Sequence, residues 1–159
     1  MSLEEIKQKI EVSNADVFGI SSSFTPYHEE ALKIAQMIKE WDRRKIVVMG
    51  GSHVSCDPEG VLKNPFVDYA ILGEGEIRFP LFLEQVEKGG VKGLEKIDGI
   101  VYRKRGEIYI NPLKTFIQDI DTLPHPSREL LELDRYRIKK KRSTVMITSR
   151  CCPHGCAYC

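Results

Sequence analysis

Three times within its first ninety residues the chain repeats one pattern: a short apolar run, a cluster of glycine or serine, then an amphipathic stretch. The runs cover residues 16–20, 45–49 and 67–72 and end in Ser21-Ser22-Ser23, Gly50-Gly51 and Gly73-Glu74-Gly75-Glu76. From 27 to 41, Ala31, Ile34, Ala35, Ile38 and Trp41 recur at helical spacing. Thr25-Pro26 offers that helix an N-cap and a proline at its first position. Residues 58–63 read as a short helix. Residues 77–88 read as a longer one, with Phe79, Leu83 and Val86 on one face and Gly89-Gly90 as its stop. Strands that alternate with helices pair in parallel through right-handed crossovers. Nearly continuous apolar strands suit a sheet covered on both faces. Open sheets of this kind bind ligands outside the carboxyl ends of their strands, so the three polar loops are expected along one edge.

Beyond Gly93 the pattern changes. Residues 99–104 and 107–111 flank Arg105-Gly106 as an antiparallel hairpin. Residues 119–126 (DIDTLPHP) form a proline-punctuated connector, Ser127 starts a short helix through Leu133, and residues 135–142 are strongly basic. Residues 144–148 read as one more strand. This divides the chain into an α/β region at 1–92, a hairpin and connector at 93–142, and a terminal segment at 143–159.

Composition narrows the classes of function. Of 159 residues, 42% are hydrophobic, enough for one domain with a real core. Basic and acidic residues number 24 and 23, which argues against a nucleic-acid binder. The basic run at 139–142 is then a solvated connector. No apolar run reaches the roughly 18 residues of a membrane span. The start, MSLEEIKQKI, lacks the apolar stretch of a secretory leader, and Met1-Ser2-Leu3 reads as an appended leader. A cytoplasmic protein is expected.

Four of the five cysteines fall in the last nine residues. Cys152, Cys156 and Cys159 have a C-x3-C-x2-C spacing, with Cys151 beside them. Three thiolates in one loop can hold three irons of a four-iron cube and leave the fourth open to a substrate. Gly155 lets the loop wrap closely, and Tyr158 can pack near the bound ligand. Zinc is the alternative, with Cys151 or His154 as a fourth ligand, but adjacent cysteines suit one tetrahedral ion poorly. The spacing, together with Thr148-Ser149-Arg150 before it and Pro153-His154-Gly155 within it, resembles the radical S-adenosylmethionine (SAM) superfamily. That resemblance implies a [4Fe-4S] cluster on Cys152, Cys156 and Cys159. It also implies SAM chelated to the open iron and cleaved to a 5'-deoxyadenosyl radical. A cluster loop that closes the chain implies a longer parent protein.

The upstream region resembles the cobalamin (B12)-binding members of that superfamily. The resemblance rests on several motifs in order: residues 18–25 (FGISSSFT), Gly50-Gly51-Ser52-His53, residues 72–76 (LGEGE), residues 98–103 (DGIVYR), Leu123-Pro124-His125-Pro126 and Asp134-Arg135-Tyr136. It implies a Rossmann-like (flavodoxin-like) parallel sheet, truncated on its N-terminal side, that presents cobalamin to the radical site. Gly50, Gly51, Gly73 and Gly75 would let backbone approach a large flat ligand. Ser21, Ser22, Ser23 and Ser52 would hydrogen-bond its amides or nucleotide tail. The plainer reading is that the glycines make tight turns and the serines cap helices. His53 lines the pocket but is not assigned to cobalt, because the Asp-x-His-x-x-Gly pattern of B12 mutases is absent. Glu74 belongs to the same edge, and Glu76 suits the start of a helix.

The resemblance leads to a B12-dependent radical SAM enzyme of the methyl-transfer type, of which this chain would be an inactive part. The rival is a scaffold domain that has lost cobalamin. A tRNA methylthiotransferase shares the cysteine loop but carries three further cluster cysteines upstream, where this chain has only Cys56. The strands present correspond to the third, fourth and fifth of the family sheet. The first of them is therefore expected to be an open edge that pairs with a second copy.

Overall fold

The computed structural model describes residues 2–89, 92–147 and 149–150. It divides into two units, Met1–Ile120 and Asp121–Cys159.

The first unit opens with a helix that has no counterpart in the sequence reading. α1 (Leu3–Glu11) begins with a capping box, in which the Ser2 hydroxyl accepts from the Glu5 amide and the Glu5 carboxylate accepts from the Ser2 amide. Ser2 thus belongs to the fold. Only Leu3, Ile6 and Ile10 mark the helix's apolar side, and Ile10 alone is fully buried.

Three βα repeats follow. β1 (Val17–Ser21), β2 (Ile46–Gly50) and β3 (Tyr69–Ile71) pair in parallel, with Val17 opposite Ile46 and Val48 opposite Tyr69. They are connected by α2 (His28–Trp41) and by α3 (Ser52–Cys56) with α4 (Pro58–Lys63). A 3-10 turn at Thr25–Tyr27 leads into α2 and carries Pro26 near its start. On one face, Ala31, Ala35 and Ile38 of α2 and Val61 and Leu62 of α4 pack with Val47, Met49 and Ala70. On the other, α5 (Gly75–Glu87) lays Phe79, Phe82 and Leu83 over Val48 and Ile71. Side chains alternate between faces along a strand. The apolar runs at β2 and β3 are therefore continuous because both faces are covered.

The hairpin of β4 (Ile100–Lys104) and β5 (Glu107–Ile110) extends this same sheet. β4 pairs antiparallel with β3, and the strand order is β1-β2-β3-β4-β5. The sheet is therefore parallel through β3 and antiparallel beyond it, and the hairpin covers the edge that β3 would otherwise leave open. Arg105 and Gly106 both have positive φ, 55° and 87°, as a type I' turn requires. β1 forms the other edge.

In the second unit, Ser127 makes no capping bond. Two 3-10 turns, Arg128–Leu130 and Leu133–Arg135, stand where one short helix was expected. β6 (Arg137–Ile138) and β7 (Lys141–Arg142) form a small hairpin across Lys139 and Lys140, both at positive φ. The basic run at 139–142 is thus exposed, as a solvated connector would be, and part of it forms this hairpin. Residues 144–147 are not in a strand. Val145 and Ile147 stand exposed, with no neighbouring strand among the described residues to pair them. No helix among the described residues is long and apolar enough to cross a membrane.

Candidate functional site at the carboxyl edge of the sheet

Parallel pairing of β1, β2 and β3 brings the loops after them to one edge, as the sequence requires. Ser21 and Ser23 are exposed there with their hydroxyls 3.1 Å apart, and Ser52 is also exposed. Ser22 is different. It is 3% exposed, its amide donates to the Gly50 carbonyl (2.7 Å), and its own carbonyl accepts from the His53 amide (3.1 Å). Ser22 therefore ties the first loop to the second.

Gly51 makes that tie possible. Its φ of 107° and ψ of 176° lie in a region open essentially to glycine alone. A Cβ there would fall 2.7 Å from the Ser22 carbonyl oxygen. Ser55, which no local pattern singled out, joins the second loop to the third. Its hydroxyl donates to the Gly51 carbonyl (3.2 Å) and accepts from the Gly73 amide (2.9 Å). Gly73 has φ 63°, and a Cβ on it would meet Leu113 at 3.2 Å. Gly50 is strand backbone, with the Ile71 carbonyl at 3.7 Å from a built Cβ. Gly75, the first residue of α5, is the exception: an added Cβ would find nothing within 4 Å. Of the loop glycines, Gly75 offers backbone to open space, while Gly51 and Gly73 pack against their own chain.

The third loop is held from beneath by Arg78, which is 3% exposed. Its guanidinium donates to the Glu74 carbonyl (2.7 Å), to Asp98 (2.9 Å) and to the Thr115 carbonyl. Burial works against the Asp98 carboxylate. Hydrogen bonds from Arg78, the Lys114 and Thr115 amides and the Thr115 hydroxyl outweigh it and hold Asp98 well below the usual carboxylate range. The Glu74 carboxylate makes no capping bond to α5 and accepts instead from the Ile117 amide at 2.7 Å. Glu76 lies in the first turn of α5, where its charge suits the helix dipole. The β4–β5 hairpin thus adds residues 98–99 and 111–117 to the same edge. No spacing in the sequence joined Arg78 to a partner 20 residues away.

Two histidines meet here. His28 and His53 have ring centroids 4.1 Å apart. The Nδ1 of His28 bonds the Ser22 hydroxyl (3.2 Å), and that of His53 bonds the Thr25 hydroxyl (3.0 Å). Around them the edge exposes large apolar groups: Phe24, Tyr27, Phe116 and Ile77, each more than half exposed. Phe24 and Tyr27, in a polar loop just after a strand, were the available signal for this surface. A rim of hydroxyls, an approachable backbone at Gly75 and exposed aromatic faces suit a broad, flat, amide-bearing ligand such as cobalamin. Among the described residues no three histidine, cysteine or acidic side chains converge as a metal site. Cys152, Cys156, Cys159 and Tyr158 lie outside the described residues.

An α/β sheet with its polar loops gathered at the carboxyl edge belongs to the class of open sheets that bind ligands there. The comparisons with known proteins make the class specific. The model of the B12 binding domain family matches residues 1–83, and the chain belongs to that family. An uncharacterized methyltransferase of Pyrococcus horikoshii is 31% identical over 160 residues, covering all of this chain and 34% of that protein. The cobalamin-dependent radical SAM methyltransferase TokK of Streptomyces tokunonensis is 28% identical over 152 residues, 91% of this chain and 22% of that protein. This chain thus spans about a third or less of these relatives. Among solved structures, the cobalamin-dependent SAM radical enzyme OxsB, with aqua-cobalamin and SAM bound, superposes with a TM-score of 0.61 at 22% identity. The match covers 72% of this chain and 16% of OxsB. The methyltransferase TsrM of Kitasatospora setae gives 0.59 at 17% identity, over 69% of this chain and 21% of that one. These two likenesses bear out the Rossmann-like fold.

Proposed function

We propose that this chain holds cobalamin at the carboxyl edge of its sheet, as the cofactor-presenting part of a B12-dependent radical SAM methyltransferase. The observation that carries the reading is the family match over residues 1–83, which spans all three strand-end loops. Ser21, Ser23 and Ser52 supply hydroxyls to the corrin amides, the Gly75 backbone admits close approach, and Phe24, Tyr27 and Phe116 give apolar contact. His53 lines the pocket. Cobalamin, when bound, supplies a cobalt-carried methyl group. Cys152, Cys156 and Cys159 hold the [4Fe-4S] cluster to which SAM binds, with Tyr158 beside it, in a cytoplasmic setting. The spacing of the cysteines and their likeness to the radical SAM loop support that part.

Titration of the purified chain with hydroxocobalamin, followed by absorbance and gel filtration, tests the pocket. Stoichiometric co-elution supports the reading, and no binding to this chain or to its full-length parent refutes it. Anaerobic loading with iron and sulfide tests the cysteines. Replacing Cys152, Cys156 and Cys159 by alanine together should abolish bound iron, and retained iron would refute the ligand set. The open edge of β1 is proposed to pair with a second copy, and a monomer in light scattering would refute that.

A further inference from the structure

The His28–His53 pair is more than pocket lining. Its rings sit 4.1 Å apart, tilted by 46°, and come from different loops: His28 opens α2 after β1, and His53 lies in α3 after β2. Each ring has one nitrogen committed, Nδ1 of His28 to Ser22 and Nδ1 of His53 to Thr25. What each has left to offer is Nε2. Two imidazoles this close repel each other when both are cationic. Ser22 is pinned by backbone bonds to Gly50 and His53, so the rings cannot separate without disturbing both loops.

We propose that His28 and His53 act together as a proton-linked contact for the corrinoid, which binds while the pair carries at most one positive charge and is released when both rings are cationic. With one positive charge between them the two Nε2 atoms can present one donor and one acceptor, the complement of a carboxamide at the edge of a corrin ring. A second charge removes that acceptor and sets the two cationic rings against each other while Ser22 holds their loops together. The surroundings agree. Burial and the charge of His53 lower the His28 pKa, while Glu29 on its own helix and Asp57 at the start of α4 pull the other way more weakly. The inference rests on the proposed cobalamin site.

The test is a hydroxocobalamin titration of the whole chain from pH 8 to pH 5.5, beside an NMR titration of the imidazoles. Affinity should fall by up to about tenfold for each pH unit below the lower apparent pKa of the pair. His53→Gln should flatten that profile and raise the His28 pKa, and Thr25→Val, which removes one hydroxyl anchor, should alter the profile without removing either ring. Circular dichroism checks that both variants fold. A wild-type profile that stays flat while cobalamin binds overturns this inference alone. So do two imidazoles that titrate independently, or a His53→Gln profile unchanged in slope. Wild-type protein and full-length parent that bind no cobalamin at any pH overturn the cobalamin reading and this inference with it.

Discussion

Replacing Gly51 with alanine gives a sharp measure of how the carboxyl edge of the sheet is built. The residue sits at φ 107°, ψ 176°, where a side chain costs about 1–3 kcal/mol in backbone strain alone. The new Cβ would also fall 2.7 Å from the Ser22 carbonyl oxygen and 2.8 Å from its carbon. Ser22 cannot yield cheaply, because its amide is bonded to Gly50 and its carbonyl to His53. Overpacking of this kind adds about 1–3 kcal/mol. A total of about 2–6 kcal/mol is a large share of the 5–15 kcal/mol that holds a typical domain together. Gly50→Ala is the control. Its Cβ would meet the Ile71 carbonyl at an ordinary 3.7 Å, with no left-handed backbone, and should change stability by less than about 1 kcal/mol. Urea unfolding followed by circular dichroism, with matching slopes for the variants, compares the two. If Gly51→Ala lies within about 1 kcal/mol of Gly50→Ala, the tie between the first two loops is not what the geometry implies.

Gly75→Ala should leave the urea midpoint nearly unchanged, because nothing lies within 4 Å of its Cβ, yet weaken hydroxocobalamin binding if backbone approaches the ligand there. Arg78→Met should cost about 2–4 kcal/mol in the same unfolding assay, since it breaks a buried ion pair and strips the Glu74 and Thr115 carbonyls of their donor. Asp98 has a folded-state pKa below its unfolded value, so its contribution is complete above about pH 4 and fades as pH falls further. Asp98→Asn should therefore flatten the acid limb of a stability–pH curve, and an unaltered limb would refute that assignment. Arg105→Asn should raise stability by about 0.5–1 kcal/mol, since asparagine tolerates the left-handed turn position better than arginine, with the thermal midpoint as the readout.

The sheet was legible because its signals are local. Apolar runs closed by glycine or serine marked β1, β2 and β3 within a residue or two at most ends, and Arg105-Gly106 marked the hairpin turn. What local pattern did not carry was the hairpin's attachment. Antiparallel pairing of β4 with β3 is a choice of neighbour, made 30 residues apart. α1 escaped notice because three apolar residues in nine make a faint stripe and its capping box starts at residue 2. In the second unit, Val145 and Ile147 look like strand residues, but a strand needs a partner as well as a propensity. At the edge itself the glycines and serines were legible as a set, not as individuals. Gly51 and Gly75 look alike in sequence, and only the position of the Ser22 carbonyl tells them apart. Arg78 and Ser55 were invisible because their work is done with partners 18 to 37 residues away.

The reversal of direction at β4 has a consequence for chain routing. β4 runs away from the carboxyl edge and β5 runs back, so the polypeptide leaves the sheet beside the three strand-end loops, stitched there by Thr115 to Asp98 and by Ile117 to Glu74. The last residues of the first unit are thus fixed at the carboxyl edge rather than at the opposite end of the sheet. Tethering turns an encounter between two solutes into an intramolecular one, with an effective concentration set by linker length. Two short antiparallel strands thus decide at which end of the sheet the chain departs.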